Sequence, residues 1–264
     1  MVYVVNYAND KYKSVQKLNT KTAYKFGADK VLSFGPENIE KSFYEKHKKI
    51  LDIKRGNGLW LWKPYIINRV LNELEENDIL MYCDSGAFFI GNIKKVTSYT
   101  EKYDMIVFDI PLIEKQFTKS EAFFKMKCTE KRYYESNQVI ATYFCVKNTP
   151  AVRKFMKEWL MYCCDYAVIS PADNDKEKSY FISHREDQSV FSLLCKKYEI
   201  PVFKDISQRR LFPKSYKNDK NYIYKKTRHN TPKLPLILYL HKFEKLTLWK
   251  LIKQIIKHVF SIFR

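Results

Sequence analysis

Short apolar runs alternate with longer stretches whose apolar positions return at helical spacing, and this alternation carries through the first half of the chain. Val2 to Tyr7 predicts a first strand, residues 11–26 a helix, and Lys30 to Phe34 a second strand closed by Gly35-Pro36. Residues 38–51 predict another helix. Arg55-Gly56-Asn57-Gly58 reads as a loop, followed by Leu59-Trp60-Leu61-Trp62-Lys63-Pro64 and a helix to about Glu75. Asp78 to Tyr82 predicts a strand ending at Asp84, and Asp104 to Phe108 another. Residues 119–127 and 184–198 have helical spacing. The polar segment 172–183 and the Lys-, Arg-, Asn- and Pro-bearing segment 206–233 lack a period and read as loops, the second as a flap.

Strand and helix in alternation, with polar turns where strands end, predict an α/β fold with a mainly parallel sheet covered by helices. Ligands of such sheets sit beyond the carboxyl ends of the strands. Tyr7 to Asp10 and Asp84 to Gly86 are thereby expected at one edge.

Composition adds a globular core and a charge. The chain has 264 residues, 45% of them hydrophobic, so it is long enough to bury a core. Its formal net charge of +19 predicts an anionic partner: nucleic acid, an acidic membrane surface or a phosphorylated substrate. Nucleic-acid binding by a basic, aromatic-rich protein is the alternative to an enzyme. Against it, the basic residues are spread along the chain and no nucleic-acid motif is present, so no nucleic-acid partner is expected. No Gly-x-Gly-x-x-Gly or P-loop sequence follows a strand. The six cysteines, at 83, 128, 145, 163, 164 and 195, show no Cys-x-x-Cys spacing and read as small buried hydrophobes in a reducing cytosol. No secretory leader and no spanning apolar run is read in the sequence.

Several clusters are candidates for chemistry. Asp84, with Ser85 and Gly86, stands on the turn after a buried strand, where a carboxylate either ligates a divalent cation or caps the turn. Lys63 beside Trp60 and Trp62 suits a phosphate, although Trp60 and Pro64 also fit an ordinary helix start. His184-Arg185-Glu186-Asp187-Gln188-Ser189 brings more polar groups to a helix start than capping requires, and such a group can orient hydroxyls and stabilise developing positive charge. Asn137-Gln138, with Glu121 and Lys125, reads either as an acceptor pocket or as loop. The run 246–264 carries Lys250, Lys253 and Lys257 opposite Trp249 and Phe260, the pattern of a basic amphipathic helix on an anionic membrane surface.

Tyr7-Ala8-Asn9-Asp10-Lys11-Tyr12, Trp60-Leu61-Trp62-Lys63-Pro64, Tyr82-Cys83-Asp84-Ser85-Gly86 and the 184–189 segment together resemble bacterial capsule and lipopolysaccharide glycosyltransferases. More distantly they are similar to the retaining family-eight galactosyltransferases. The resemblance spans about residues 1–205. It implies a GT-A fold over 1–245, a nucleotide-diphosphate sugar donor, a glycan or lipid-linked glycan acceptor, and work at the inner face of the cell membrane. It assigns Ala8, Asn9, Asp10 and Tyr12 to the nucleotide, and Asp187 and Gln188 to the reacting carbon. Tyr7, Trp62, Lys63, Asp84, Ser85, Gly86, His184 and Arg185 join them in donor binding. It implies Mn or Mg held by Asp84 and by a late histidine, His229 or His241. Gly86 stands where the relatives carry their second acidic residue.

Overall fold

In the computed structural model, which describes residues 1–173, 175, 177–212 and 221–260, the first strand, β1 (Val2–Tyr7), is buried along its whole length. Its side chains divide by turns: Val2 and Val4 enter one core cluster, Val5 and Tyr7 the other. A strand covered on both faces has no polar side to show, hence the near-continuous apolar run, broken only by the buried Asn6, which hydrogen-bonds to Asn19.

The other strands are β2 (Lys30–Phe34), β3 (Ile79–Cys83), β4 (Ala87–Phe89), β5 (Met105–Ile113), β6 (Asn137–Val139), β7 (Tyr143–Lys147), β8 (Val202–Phe203) and β9 (Leu238–Leu240). Among the described residues, seven form one sheet in the order β2-β1-β3-β7-β5-β6, with β8 also on β5; β4 and β9 pair separately. β1 runs parallel to β2 and β3, while β7 is antiparallel to both β3 and β5. β8 is parallel to β5, and β6 is antiparallel to it. Five of the seven strands therefore point one way, and β7 and β6 oppose them.

The five longest helices among the described residues are α1 (Lys13–Lys25), α2 (Trp62–Glu73), α3 (Pro150–Cys163), α4 (Glu186–Lys197) and the largely exposed α5 (Leu248–Phe260). The Thr149 side chain accepts the Val152 N–H and Pro150 opens α3, which fixes that start in sequence terms. α3 packs on both α2 and α4. Trp159 of α3 donates its indole N–H to Asp187 O of α4 at 3.0 Å.

Some expectations need correction. Residues 38–51 form two short helices, Lys41–Lys46 and Lys48–Leu51, after a 3-10 turn at Pro36–Asn38. The described part of 206–233 is anchored to the sheet. Ser207 bridges to Leu238, Tyr224 bridges to Leu112, and Asn137 Nδ2 donates to Lys225 O at 2.8 Å. Residues 213–220 of that segment, 174 and 176 of the polar loop, and 261–264 of the terminal run lie outside the described residues. All six cysteines are free, five of them buried.

Candidate active site

A cavity of about 1700 Å³ opens at the sheet edge where β1 and β3 end. Tyr7, Ala8, Asn9 and Tyr12 line it from the first strand end, and Asp84, Ser85 and Gly86 from the third. Trp62 and Lys63 come from the start of α2, and Arg185, Asp187 and Gln188 from the start of α4. The turn between strand and helix, not the strand itself, places each group.

The loop before α2 builds one wall. Gly56 and Asn57 to Trp60 all have positive φ, a left-handed run that needs its glycines. At Gly58, φ is +95°, and a Cβ would meet Leu51 Cα at 2.9 Å. This path carries the loop beneath the cavity, where Asn57 Nδ2 donates to Tyr7 Oη at 2.5 Å. Trp62 Nε1 donates to Gly56 O at 2.9 Å, and its ring stacks on Tyr7 with centroids 3.7 Å apart. Trp62 is thus a wall that holds Tyr7.

Lys63 is the centre of the site. It is 3% exposed, and its Nζ lies 3.0 Å from Asp187 Oδ2 and 3.4 Å from Asp84 Oδ1. It also donates to Ala141 O at 3.2 Å. The contact with Asp187 is one of charge at ion-pair distance, because Oδ2 has no well-directed hydrogen bond. Burial alone would lower the Lys63 pKa, but Asp187 and then Asp84 outweigh it and hold the ammonium above its ordinary range.

One ammonium shared by two carboxylates leaves a negative charge over. Asp187 is the more buried acid, its side chain 5% exposed against 28% for Asp84. Burial pushes Asp187 up to about 7; Lys63 opposes the shift, while Asp84 and Glu186 reinforce it. An isolated pair would lower the acid as it raised the base. Here the direction of both is upward, because desolvation of Asp187 exceeds its half-share of Lys63.

The neighbours of this centre are tied down. Tyr82 donates its hydroxyl to Asp84 Oδ1, and Ser85 Oγ donates to Tyr7 O at 2.7 Å. Gln188 Nε2 donates to Gln138 Oε1 at 2.8 Å, and its Oε1 accepts the Ala141 N–H at 3.4 Å. Glu186, in a left-handed conformation at φ 40°, is 3% exposed and accepts Arg55 Nε at 2.6 Å. Burial raises its pKa against the pull of Arg55. Asn9 keeps Oδ1 buried without a protein partner, an acceptor left for a ligand donor.

Not every expected residue reaches the cavity. Asp10 opens a 3-10 turn on the surface and does not line it. His184 points into the core, with Nε2 2.9 Å from Val168 O and Nδ1 accepting the Lys119 N–H at 3.3 Å. Burial, helped by Lys119, holds its pKa down to about 3, so it is a neutral structural imidazole. His229 pairs with Asp109 at 2.7 Å and is not among the lining residues. Asn137 and Gln138 are buried strand residues that do not line the cavity, Gln138 reaching it only through Gln188; Glu121 lies 3.8 Å from Lys119, and Lys125 pairs with Asp165 at 2.9 Å. Of the two readings of that group, acceptor pocket or loop, neither holds: it lines no part of the cavity, and Asn137 and Gln138 belong to β6.

Other residues do line it. Arg209, Lys242 and the α5 residues Lys250, Lys253 and Lys257 make a cationic wall. Lys242 is lowered by burial first and then by Arg209, Arg185 and Lys257, the mark of like charges held together. Across α5 the apolar face turns outward: Leu248 is 74% exposed, Trp249 63% and Phe260 65%. The sequence shows the lysine spacing but not that these lysines face a cavity.

A divalent cation does not fit the donor set. Gly86 supplies no second acid, and a Cβ there would stand 3.0 Å from His241 O, a tight contact. Asp84 Oδ1 is already shared by Tyr82 and Lys63. Among the described residues no three His, Cys, Asp or Glu side chains converge to hold a metal. His241 lines the cavity, but its Nδ1 accepts the Phe243 N–H at 3.4 Å. Burial lowers its pKa. The ring proton then sits on Nε2, which is buried without a partner and offers a donor in place of a lone pair.

No helix among the described residues is long and apolar enough to cross a membrane. No protein-family model matches the chain, and no curated protein matches it. Among solved structures it is similar to the galactosyltransferase LgtC, crystallised in complex with donor and acceptor sugar analogues. The likeness has a TM-score of 0.49 and 11% identity, and covers 90% of this chain and 86% of that one.

Proposed function

We propose that the chain is a glycosyltransferase of GT-A type that moves a sugar from a nucleotide-diphosphate donor to a glycan or lipid-linked glycan, in the making of a surface polysaccharide. The observation that carries this reading is the Asp84–Lys63–Asp187 centre in the floor of a large cavity whose wall is cationic. Glycosyl transfer needs a fixed negative group beside an oxocarbenium-like carbon and positive groups beside the departing diphosphate. The floor supplies the first, in the Asp84–Asp187 pair around Lys63, and the wall supplies the second. Tyr12 and the unpartnered Asn9 Oδ1 are suited to a base and ribose at the far end. Retention of configuration is supported by the sequence resemblance alone.

The terminal helix supports a site beside a membrane. With lysines turned to the cavity and Leu248, Trp249 and Phe260 turned to solvent, α5 is suited to lie in an anionic interface on the inner face of the cell membrane, as an appendage to a 1–245 catalytic unit. A lipid-linked acceptor would then meet the cavity mouth directly.

The test is turnover of a panel of nucleotide-diphosphate sugars by wild type and Asp187→Asn, with lipid extracts as acceptor, followed by mass spectrometry of product. One donor is expected to be consumed by wild type and not by the variant. Equal consumption by both sinks the role of Asp187, and no consumption of any donor sinks the enzyme. Trp249→Glu combined with Phe260→Glu, which keeps the wall residues Lys250, Lys253 and Lys257, is expected to abolish co-sedimentation with anionic vesicles and to spare turnover on a soluble acceptor.

A further inference from the structure

Two features of the cavity act together. Lys63 places a permanent positive charge between Asp84 and Asp187, at 3.4 and 3.0 Å, where two carboxylates facing one cavity would otherwise draw a divalent cation. The ammonium is 3% exposed and further held by Ala141 O, so it is not a mobile side chain that an entering ion could displace cheaply. On the wall, Arg209, Lys242 and Lys257 stand together, and His241 beside them is 4% exposed with Nε2 lacking any partner. Lys242 is pressed by the like charge of Lys257, a repulsion that an anion relieves, and a buried imidazole N–H needs an acceptor. A diphosphate answers both needs, with oxygens for each donor.

We infer that this site holds a diphosphate with protein cations in place of a divalent metal: Lys63 occupies the carboxylates, and the Arg209–Lys242–Lys257 wall with His241 binds the anion. The diphosphate itself rests on the donor reading given above, whereas the occupancy of the carboxylates by Lys63 does not. In this arrangement Lys63 is a positioning residue for Asp187, and the wall lysines touch the ligand.

The experiment uses inorganic pyrophosphate and Mn²⁺ as separate probes of the full-length protein. Calorimetry in EDTA is expected to show saturable pyrophosphate binding, weakened roughly tenfold or more in Lys257→Ala or Lys242→Ala, each substitution removing one charge-assisted contact. Electron paramagnetic resonance of Mn²⁺ without phosphate is expected to show no saturable site in wild type and a new one in Lys63→Ser, which Asp187→Asn in that background removes. Lys63→Arg, which keeps a cation, is expected to bind no Mn²⁺. Stoichiometric, submillimolar Mn²⁺ binding by wild type overturns the inference, and so does pyrophosphate binding that is abolished by EDTA or absent altogether. Both wild-type measurements stand even if Lys63→Ser does not fold. Pyrophosphate binding without turnover of any nucleotide sugar would leave the inference in place and remove the transferase reading.

Discussion

Lys63 and Lys119 are buried almost equally, 3% and 2% exposed, and their chemistry runs in opposite directions. Lys63 lies against two carboxylates, one of them nearly as buried as itself, and its pKa is raised in spite of desolvation. Lys119 donates to Ser170 O and Oγ at 2.9 and 3.0 Å, with the exposed Glu121 at 3.8 Å and the weaker pull of Glu177 and Asp165 for counter-charge. There burial wins and the pKa falls. Only Lys63 lines a cavity. A buried lysine is therefore not a functional sign by itself; a buried lysine holding more acid than it can neutralise, at a cavity wall, is.

The largest effect should come from removing the two charges in turn. Lys63→Met strands two carboxylates and is expected to cost ~3–5 kcal/mol in urea unfolding at neutral pH, with transfer reduced by roughly a hundredfold or more. Lys119→Met keeps the stem and loses hydrogen bonds to neutral oxygens, with an expected cost of ~1–2 kcal/mol and transfer within about twofold of wild type. Equal losses of activity would erase the distinction between the two.

Asp187→Asn sharpens the Lys63 side. Because the folded-state pKa of Asp187 is raised to about 7 from 3.8, the folded protein holds its proton more tightly than the unfolded chain. The stability this gives is complete below pH 3.8 and is lost as pH rises through about 7. Asparagine has no such dependence. The stability of the variant relative to wild type is therefore expected to climb between pH 5 and pH 8, as read from melting temperatures in matched buffers. A flat difference would show that Asp187 titrates elsewhere.

His184 tests the Lys119 side, since it accepts the Lys119 N–H and is held neutral by burial. Its pKa is lowered from 6.5 to about 3, so the unfolded chain takes up the proton first as the solution is acidified. Stability present above pH 6.5 is lost as pH falls toward 3, on the order of 3 kcal/mol by pH 4. His184→Gln is expected to lack that part of the acid slope while keeping turnover at neutral pH. Loss of turnover would restore His184 to the donor site that the sequence suggested.

How legible these regions were follows from the kind of pattern each left. β1, β2 and β3 are parallel strands, β1 and β3 mostly apolar and buried, and the ends of β1 and β3 could be placed at one edge from their polar turns alone. β7, antiparallel between β3 and β5, breaks the strand–helix alternation, and neither it nor α3 was read in the sequence. At the site, Lys63, Asp84 and Asp187 could be named as candidates, but Asp187 lies 103 positions from Asp84 and 124 from Lys63, and only the folded chain brings them together, as it brings Ala141 to Lys63 from 78 positions away. His184 shared a motif with Asp187 yet lies before the turn at Glu186, whose left-handed φ sends the two side chains to different sides. Side-chain direction at such a turn has no sequence period. The cationic wall was hidden for the same reason: lysine spacing on α5 gives a face, and only packing gives what the face meets.

The smallest expected effect isolates what the exposed acid contributes beside Lys119. Glu121 is 52% exposed in its side chain and 3.8 Å from Lys119 Nζ, so water and salt screen most of the attraction. Glu121→Gln should change unfolding free energy by less than about 0.5 kcal/mol, and less still at high ionic strength. Asp84→Asn is its counterpart at Lys63, where the partner is only 28% exposed and also accepts from Tyr82. If Glu121→Gln proved as damaging as Asp84→Asn in paired urea titrations, Lys119 would depend on its carboxylate as Lys63 does. The two lysines would then differ in location alone, and the ratio of acid to base at Lys63 would lose its meaning as a mark of function.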